Sequence, residues 1–190
     1  TVTLDASGSA TYTTPVLTAN ATYTLVSAET TIAPICVNPQ TGSATVTVTP
    51  LPTATISGTA TICSGSTTVI SFAGTANATI TYTINAGANQ TVTLDATGNA
   101  TVTTAALTAN TTYDLVSVDL GSCNQTQTGS AVVTILPLPT ATISGTATIC
   151  SGTTSTVTFS GTANATITYT IDAGANQTVT LDATGNATVS

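Results

Sequence analysis

The sequence predicts an all-β chain of antiparallel β-sandwich repeats, about 87–90 residues each, in tandem. Three observations carry this. The phrase "TVTLDASGSATYT" at Thr1–Thr13 returns as "TVTLDATGNATVT" at Thr91–Thr103 and as "TVTLDATGNATVS" at Thr178–Ser190. Roughly a quarter of the residues are Thr. With Val, Ile and Tyr they alternate along short runs, as branched and aromatic side chains do on a pleated, half-buried surface. Proline-rich joints, "TPLPT" (Thr49–Thr53) and "LPLPT" (Leu136–Thr140), break these runs at the repeat spacing.

The register of the repeat locates one insertion. Thr1 aligns with Thr91 and Tyr23 with Tyr113, an offset of 91 − 1 = 90. Cys36 aligns with Cys123, now 123 − 36 = 87, so the first copy carries three extra residues between Ser27 and Cys36. Leu51 and Leu138, Cys63 and Cys150, Phe72 and Phe159, and Leu94 and Leu181 keep the offset of 87. Such a period is too long for a solenoid coil or a propeller blade and suits one small sandwich. The joints divide the chain into the C-terminal portion of one repeat (1–50), a complete repeat (51–137) and the N-terminal portion of the next (138–190). Because the recurring phrase falls inside a repeat, the chain is expected to be a window on a longer array, out of phase with its joints.

Within 51–137 the alternation predicts seven strands. "TATISGTATI" (Thr53–Ile62) is the first, interrupted at Gly58. "TTVISFA" turns Ile70 and Phe72 to one face, and "ATITYTIN" does the same with Ile80, Tyr82 and Ile84. "QTVTLDA" buries Val92 and Leu94, and "NATVTT" offers Ala100 and Val102. "TTYDLVSV" contributes Tyr113 and Leu115, and "SAVVTIL" contributes Ala131, Val133 and Ile135. "NAGAN" (Asn85–Asn89) and "DATGN" (Asp95–Asn99) read as hairpin turns, since Gly supplies positive φ while Asn and Asp tolerate it or bond back to the backbone. Asp5, Asp95 and Asp182 hold one turn position in three copies and read as caps of that turn. Leu17 precedes Tyr23, and Leu107 precedes Tyr113, by six residues. This spacing resembles the tyrosine corner of immunoglobulin-like sandwiches, in which the Tyr hydroxyl bonds to the backbone upstream.

Composition excludes several classes of function. The chain has no Lys, Arg, His, Met or Trp and a net charge of −7. Without cations it cannot neutralise phosphates, which argues against nucleic acid and anionic membrane surfaces as partners. No apolar run is long enough to span a bilayer. No His or Lys is present to act as acid, base or amine nucleophile, and identical copies in tandem suit a spacer better than an active site. No catalytic residue, cofactor or metal is therefore expected. Two separated Cys per repeat without His make no zinc set, and the joints carry no acidic cluster for calcium.

Cys63 and Cys123 fall in the complete repeat, and an even count in a repetitive chain favours disulfides. The simplest pairing joins Cys63 to Cys123, with partners for Cys36 and Cys150 outside the window. An immunoglobulin topology opposes it, because the turn after the first strand and the loop before the last lie at opposite ends. Pairing between neighbouring repeats, or free thiols, are the alternatives. Asn-x-Ser/Thr sequons, at Asn20, Asn77, Asn110 and elsewhere, matter only in a glycosylating host. Outward Thr rows such as "TITYT" invite comparison with ice-binding faces, but those come from short coils and this period is not one.

"LPTATISGTATICSG", "LTANTTYDLVSV" and the late Cys resemble the immunoglobulin-like or PKD-like repeats of giant Bacteroidota surface proteins exported by type IX secretion, in the style of SprB-type gliding adhesins. The resemblance covers essentially the whole chain. It implies an extracellular, cell-surface location and a stalk or filament that projects a distal tip in attachment or gliding. Neighbouring repeats of the same chain, and other copies in a filament, are the partners it implies. The rival expectations are a glycan- or surface-binding module in each repeat and a self-assembling sheath.

Overall fold

In the computed structural model, which describes residues 1–190, the chain is all β, with short strands and no helix. Its principal core lies in the central stretch. There the strands are β5 (Ala54–Ser57), β6 (Ala60–Cys63), β7 (Val69–Gly74), β8 (Thr79–Ile84) and β9 (Gln90–Thr93), then β10 (Asn99–Thr103), β11 (Thr111–Leu120), β12 (Cys123–Thr126) and β13 (Ser130–Leu136). They follow β1 (Ala21–Thr24), β2 (Ser27–Glu29), β3 (Val37–Pro39) and β4 (Ser43–Val46) of the first fifty residues. One central sheet has the order β10-β7-β5; the other is β6-β13-β11-β8-β9, with β12 also paired to β11. All pairs are antiparallel except β6 with β13. Two such sheets, face to face, form an immunoglobulin-like sandwich.

The core follows the predicted alternation. Ile70, Phe72, Ile80, Tyr82, Leu94, Tyr113, Leu115, Ala131 and Val133 form one buried cluster together with Ala54, Ala78 and Val118. Phe72 and Tyr82 pack across the two sheets with ring centroids 5.0 Å apart, and Tyr82 continues to Tyr113 at 6.4 Å. Ile84, expected inward, lies at the end of its strand and is about a third exposed.

The first strand breaks at Gly58, and the break changes sheets. β5 pairs β7 on one side of the sandwich, whereas β6 runs parallel to β13 on the other. Gly58 sits at φ +117°, where a Cβ would lie 2.6 Å from the Val69 carbonyl oxygen. Only glycine lets the chain pass that close to β7.

Two turns differ from each other. "NAGAN" is a hairpin: Asn85 and Ala86 both have positive φ, the Gly87 amide donates to the Ile84 carbonyl, and β8 pairs β9. "DATGN" is not. β9 belongs to the β8 sheet and β10 to the β7 sheet, so this turn carries the chain from one layer to the other. The expectation of a hairpin rested on turn chemistry, which is the same whichever sheet the next strand joins. The late-Cys segment, not expected as a strand, forms β12 against the far end of β11; with the first strand split into β5 and β6, nine elements replace the seven read from the sequence.

The flanking stretches repeat parts of this plan. β1 pairs β4 and β2 pairs β3, matching β11 with β13 and β11 with β12, and the three-residue insertion falls in the loop between β2 and β3. After the central sandwich come β14 (Ala141–Ser144), β15 (Val157–Gly161), β16 (Thr166–Tyr169), β17 (Gln177–Thr180) and β18 (Asn186–Val189). β14-β15-β18 reproduces β5-β7-β10, and β16-β17 reproduces β8-β9. Phe159 and Tyr169 pack at 4.9 Å, as Phe72 and Tyr82 do. Beside them an open groove of about 310 Å³ is lined by Ile143, Val157, Phe159, Tyr169, Ile171 and Val189. In the central sandwich the corresponding half-core is covered by Tyr113, Leu115, Ala131 and Val133.

Candidate functional site

The features with most consequence lie at the two ends of the central sandwich. At one end the chain comes in: the Thr53 carbonyl accepts from the Thr75 amide in the β7–β8 loop. The tip of β11 and β12 is at this same end, because Asp119 pairs with Thr79 at the start of β8 and Leu120 pairs with Cys123 beyond it. At the other end the chain leaves. Leu136 pairs with Cys63, and the amides of Ser64 and Gly65 donate to the Leu136 and Leu107 carbonyls at 2.8 and 2.7 Å. Incoming and outgoing segments thus sit at opposite poles.

This placement separates the cysteines. β12 follows the lane of β13 beside β11, and from Cys123 to Leu136 is 136 − 123 = 13 residues. At about 3.3 Å per residue that is on the order of 40 Å, whereas a disulfide needs Cα atoms within about 7 Å. All four thiols are free. The expected pairing of Cys63 with Cys123 is corrected accordingly: β6 is parallel to β13, which sets Cys63 at the outgoing pole while Cys123 opens the strand at the incoming one. Cys36 lies in the β2–β3 loop, where its amide donates to Thr30 Oγ1 at 2.9 Å, and Cys150 follows β14 in an exposed turn.

The recurring phrase is a carboxylate-capped turn. Asp95 Oδ1 accepts from the Thr97 hydroxyl at 2.6 Å, the Thr97 amide at 2.8 Å and the Asn99 amide at 3.0 Å. Asp5 repeats this with Ser7 and Ser9, and Asp182 with Thr184 and Asn186. The hydroxyl, then the two amides, hold each carboxyl below the usual carboxylate range. The turn also packs: Gly98, at φ +79°, places its would-be Cβ 2.2 Å from the Gly74 carbonyl oxygen, and the Gly74 amide donates to the Gly98 carbonyl at 2.9 Å. Gly185 and Gly161 repeat that contact.

The tyrosine-corner positions are present with a different latch. Leu107 packs against the core and bridges to Ser66, and Tyr113 is buried at the start of β11. The Tyr113 hydroxyl makes no bond to the upstream backbone. The segment is tied down by Asn110, whose Oδ1 accepts from the Ile135 amide at 2.7 Å. In the first copy, where Leu17 and Tyr23 hold the same positions, Asn20 Oδ1 accepts from the Val48 amide at 2.8 Å. The sequence carried this signal in "LTAN" at both places, read only as part of a sequon. Burial raises the Tyr82 and Tyr113 hydroxyls above the ordinary tyrosine range.

The carboxylates of Asp5, Asp95 and Asp182 are engaged in their own turns, and His, Cys, Asp and Glu nowhere gather in a set of three. The outward Thr side chains pair across strands, as Thr79 with Thr93 at 3.3 Å and Thr22 with Thr45 at 3.2 Å.

No family model matches the chain, and no curated protein sequence matches it. Among solved structures it is similar to one described as "Ca2+-stabilized adhesin helps an Antarctic bacterium reach out and bind ice", with 24% identity, a TM-score of 0.47, and coverage of 85% of this chain and 46% of that one. It is also similar to a marsupial T cell receptor, with 12% identity, a TM-score of 0.42, and coverage of 70% of this chain and 55% of the receptor. The chain thus spans about half the length of each.

Proposed function

We propose that the chain is a segment of an extracellular stalk, in which immunoglobulin-like repeats joined at 49–53 and 136–140 hold a distal tip away from a bacterial cell surface. The observation that carries this reading is the placement of incoming and outgoing segments at opposite poles of the central sandwich. Repeats linked in this way add length instead of folding back. The resemblance of "TICSG", the Leu-to-Tyr spacing and the late Cys to gliding-adhesin repeats extends the reading to type IX export and a role in attachment or gliding. Arrays of one, two and three copies of residues 51–137 test it by small-angle scattering. Maximum dimension rises by about 35–40 Å per copy, from a ten-residue β11 at about 3.3 Å per residue plus loops. Dimensions that stay compact as copies are added refute the stalk.

A further inference from the structure

The four free thiols point to a covalent staple between successive repeats. We propose that the cysteine after β6 of one repeat, here Cys63, forms a disulfide with the β12 cysteine of the repeat that follows, the counterpart of Cys123. The proposal rests on the stalk reading, since it needs repeats joined pole to pole.

Three placements carry it. Cys63 is exposed and lies beside Leu136, the last residue of β13 before the joint. Cys123 lies at the incoming pole, on a two-residue turn at Gly121 and Ser122 that projects past the start of β8 toward whatever precedes the repeat. Both belong to one sheet: β6 and β11 flank β13, and β12 extends the β13 lane. Stacking a second repeat with little rotation therefore sets its β12 tip against the β6 end of the first. The joint keeps them close. Leu136 to Thr140 is four residues, which span about 14 Å at full extension and less when bent. Within one repeat the same two cysteines are separated by the full sandwich, so the repeat places each thiol where only a neighbour can meet it. Cys123 faces the preceding repeat, where it would meet the counterpart of Cys63, and Cys63 faces the following repeat, where it would meet the counterpart of Cys123.

The chemistry is thiol–disulfide exchange with a small-molecule or protein disulfide as oxidant. One cysteine thiolate attacks the oxidant and releases its first thiol, leaving a mixed disulfide. The second thiolate attacks the cysteine sulfur of that mixed disulfide and expels the oxidant's second thiol. Two cysteine thiols become one disulfide, and the two electrons and two protons leave on the reduced oxidant.

The test extends the chain by a second copy of residues 104–137, which completes the third repeat, with Cys36→Ser and Cys150→Ser as background. Three thiols remain: Cys63, Cys123 and the appended copy of Cys123. In oxidised glutathione with reduced glutathione in excess, at low protein concentration, thiol titration after desalting is expected to fall from three to one, in a monomer two hydrogens lighter. Adding Cys63→Ser should leave both remaining thiols free, and adding Cys123→Ser instead should leave none. Three persistent thiols, a glutathione adduct on Cys63 or on the appended cysteine, a disulfide-linked dimer, or a bond lost with Cys123→Ser each overturn the proposal. Small-angle scattering on the reduced protein separates its failure from that of the stalk: an extended molecule whose thiols stay free sinks the staple alone, and a compact one sinks both.

Discussion

Gly98→Ala probes whether the recurring turn is held by its own residues or by what it packs on. Two costs add. An Ala at φ +79° sits in the left-handed region, at about 1 kcal/mol. Its Cβ would then lie 2.2 Å from the Gly74 carbonyl oxygen, a backbone atom that cannot swing away, so turn and strand must part. That sacrifices the Gly74-to-Gly98 bond, worth about 1 kcal/mol, and some packing with it. The expected loss is about 3 kcal/mol. Gly65→Ala supplies the control. Its φ of +85° is nearly the same, yet a Cβ there meets nothing within 4 Å, so it should lose only about 1 kcal/mol. Equilibrium urea unfolding by circular dichroism, with hydrogen exchange at β8 and β11 amides to isolate the central sandwich, measures both. A difference of about 2 kcal/mol corresponds to a gap of roughly 10 °C in melting temperature for a domain of this size. If the two variants lose the same stability within ~0.5 kcal/mol, the close approach of turn and strand contributes nothing and the reasoning fails.

Phe72→Ala, at a wholly buried ring against Tyr82, should cost about 3–5 kcal/mol and abolish the cooperative transition of the central sandwich, read by the same urea series. Asp95 has a folded-state pKa below its unfolded one, so its contribution is complete above the unfolded value, near pH 4, and disappears as pH falls through the folded one. Asp95→Asn should therefore flatten the acid limb of a stability–pH profile for the central sandwich while leaving stability relative to wild type lowest near neutrality. Tyr82 and Tyr113 behave oppositely: with raised folded values, their contribution is complete below about pH 10 and lost above it, so absorbance titration should show a late-ionising class that Tyr82→Phe diminishes. Asn110→Ala should cost about 1 kcal/mol and speed hydrogen exchange at the Ile135 amide, whereas Tyr113→Phe should leave that amide unchanged.

The parts of this fold that were legible are those set by alternation. Ile70 with Phe72, Ile80 with Tyr82 and Tyr113 with Leu115 face inward because a half-buried strand has no other periodicity. What escaped notice was polar or partner-dependent. β12, "CNQT", has no apolar face to betray it and exists because β11 runs long enough to pair with it. Asn110 reads as a surface residue until β13 brings the Ile135 amide to it. The cysteines show the reverse. Topology alone opposed the pairing that simple counting favoured, and the parallel register of β6 on β13 decided the matter in favour of topology.

The recurring phrase shows where local sequence stops and packing begins. The Asp5 and Asp182 turns close with the same bonds as the Asp95 turn. Carboxylate, hydroxyl and glycine close the turn itself. They do not decide where the next strand goes. A hairpin would leave β7 with β5 as its only neighbour. Crossing to the other layer lets β10 cover that edge, setting Ala100 opposite Phe72 and Val102 opposite Ile70. The backbone bonds of Asn77 and Leu94 hold the incoming side in the β8 sheet up to Asp95, so the whole change of layer falls within the turn. Gly98 is required there because the chain passes over Gly74 as it crosses, and a true hairpin would never have brought those two backbones together.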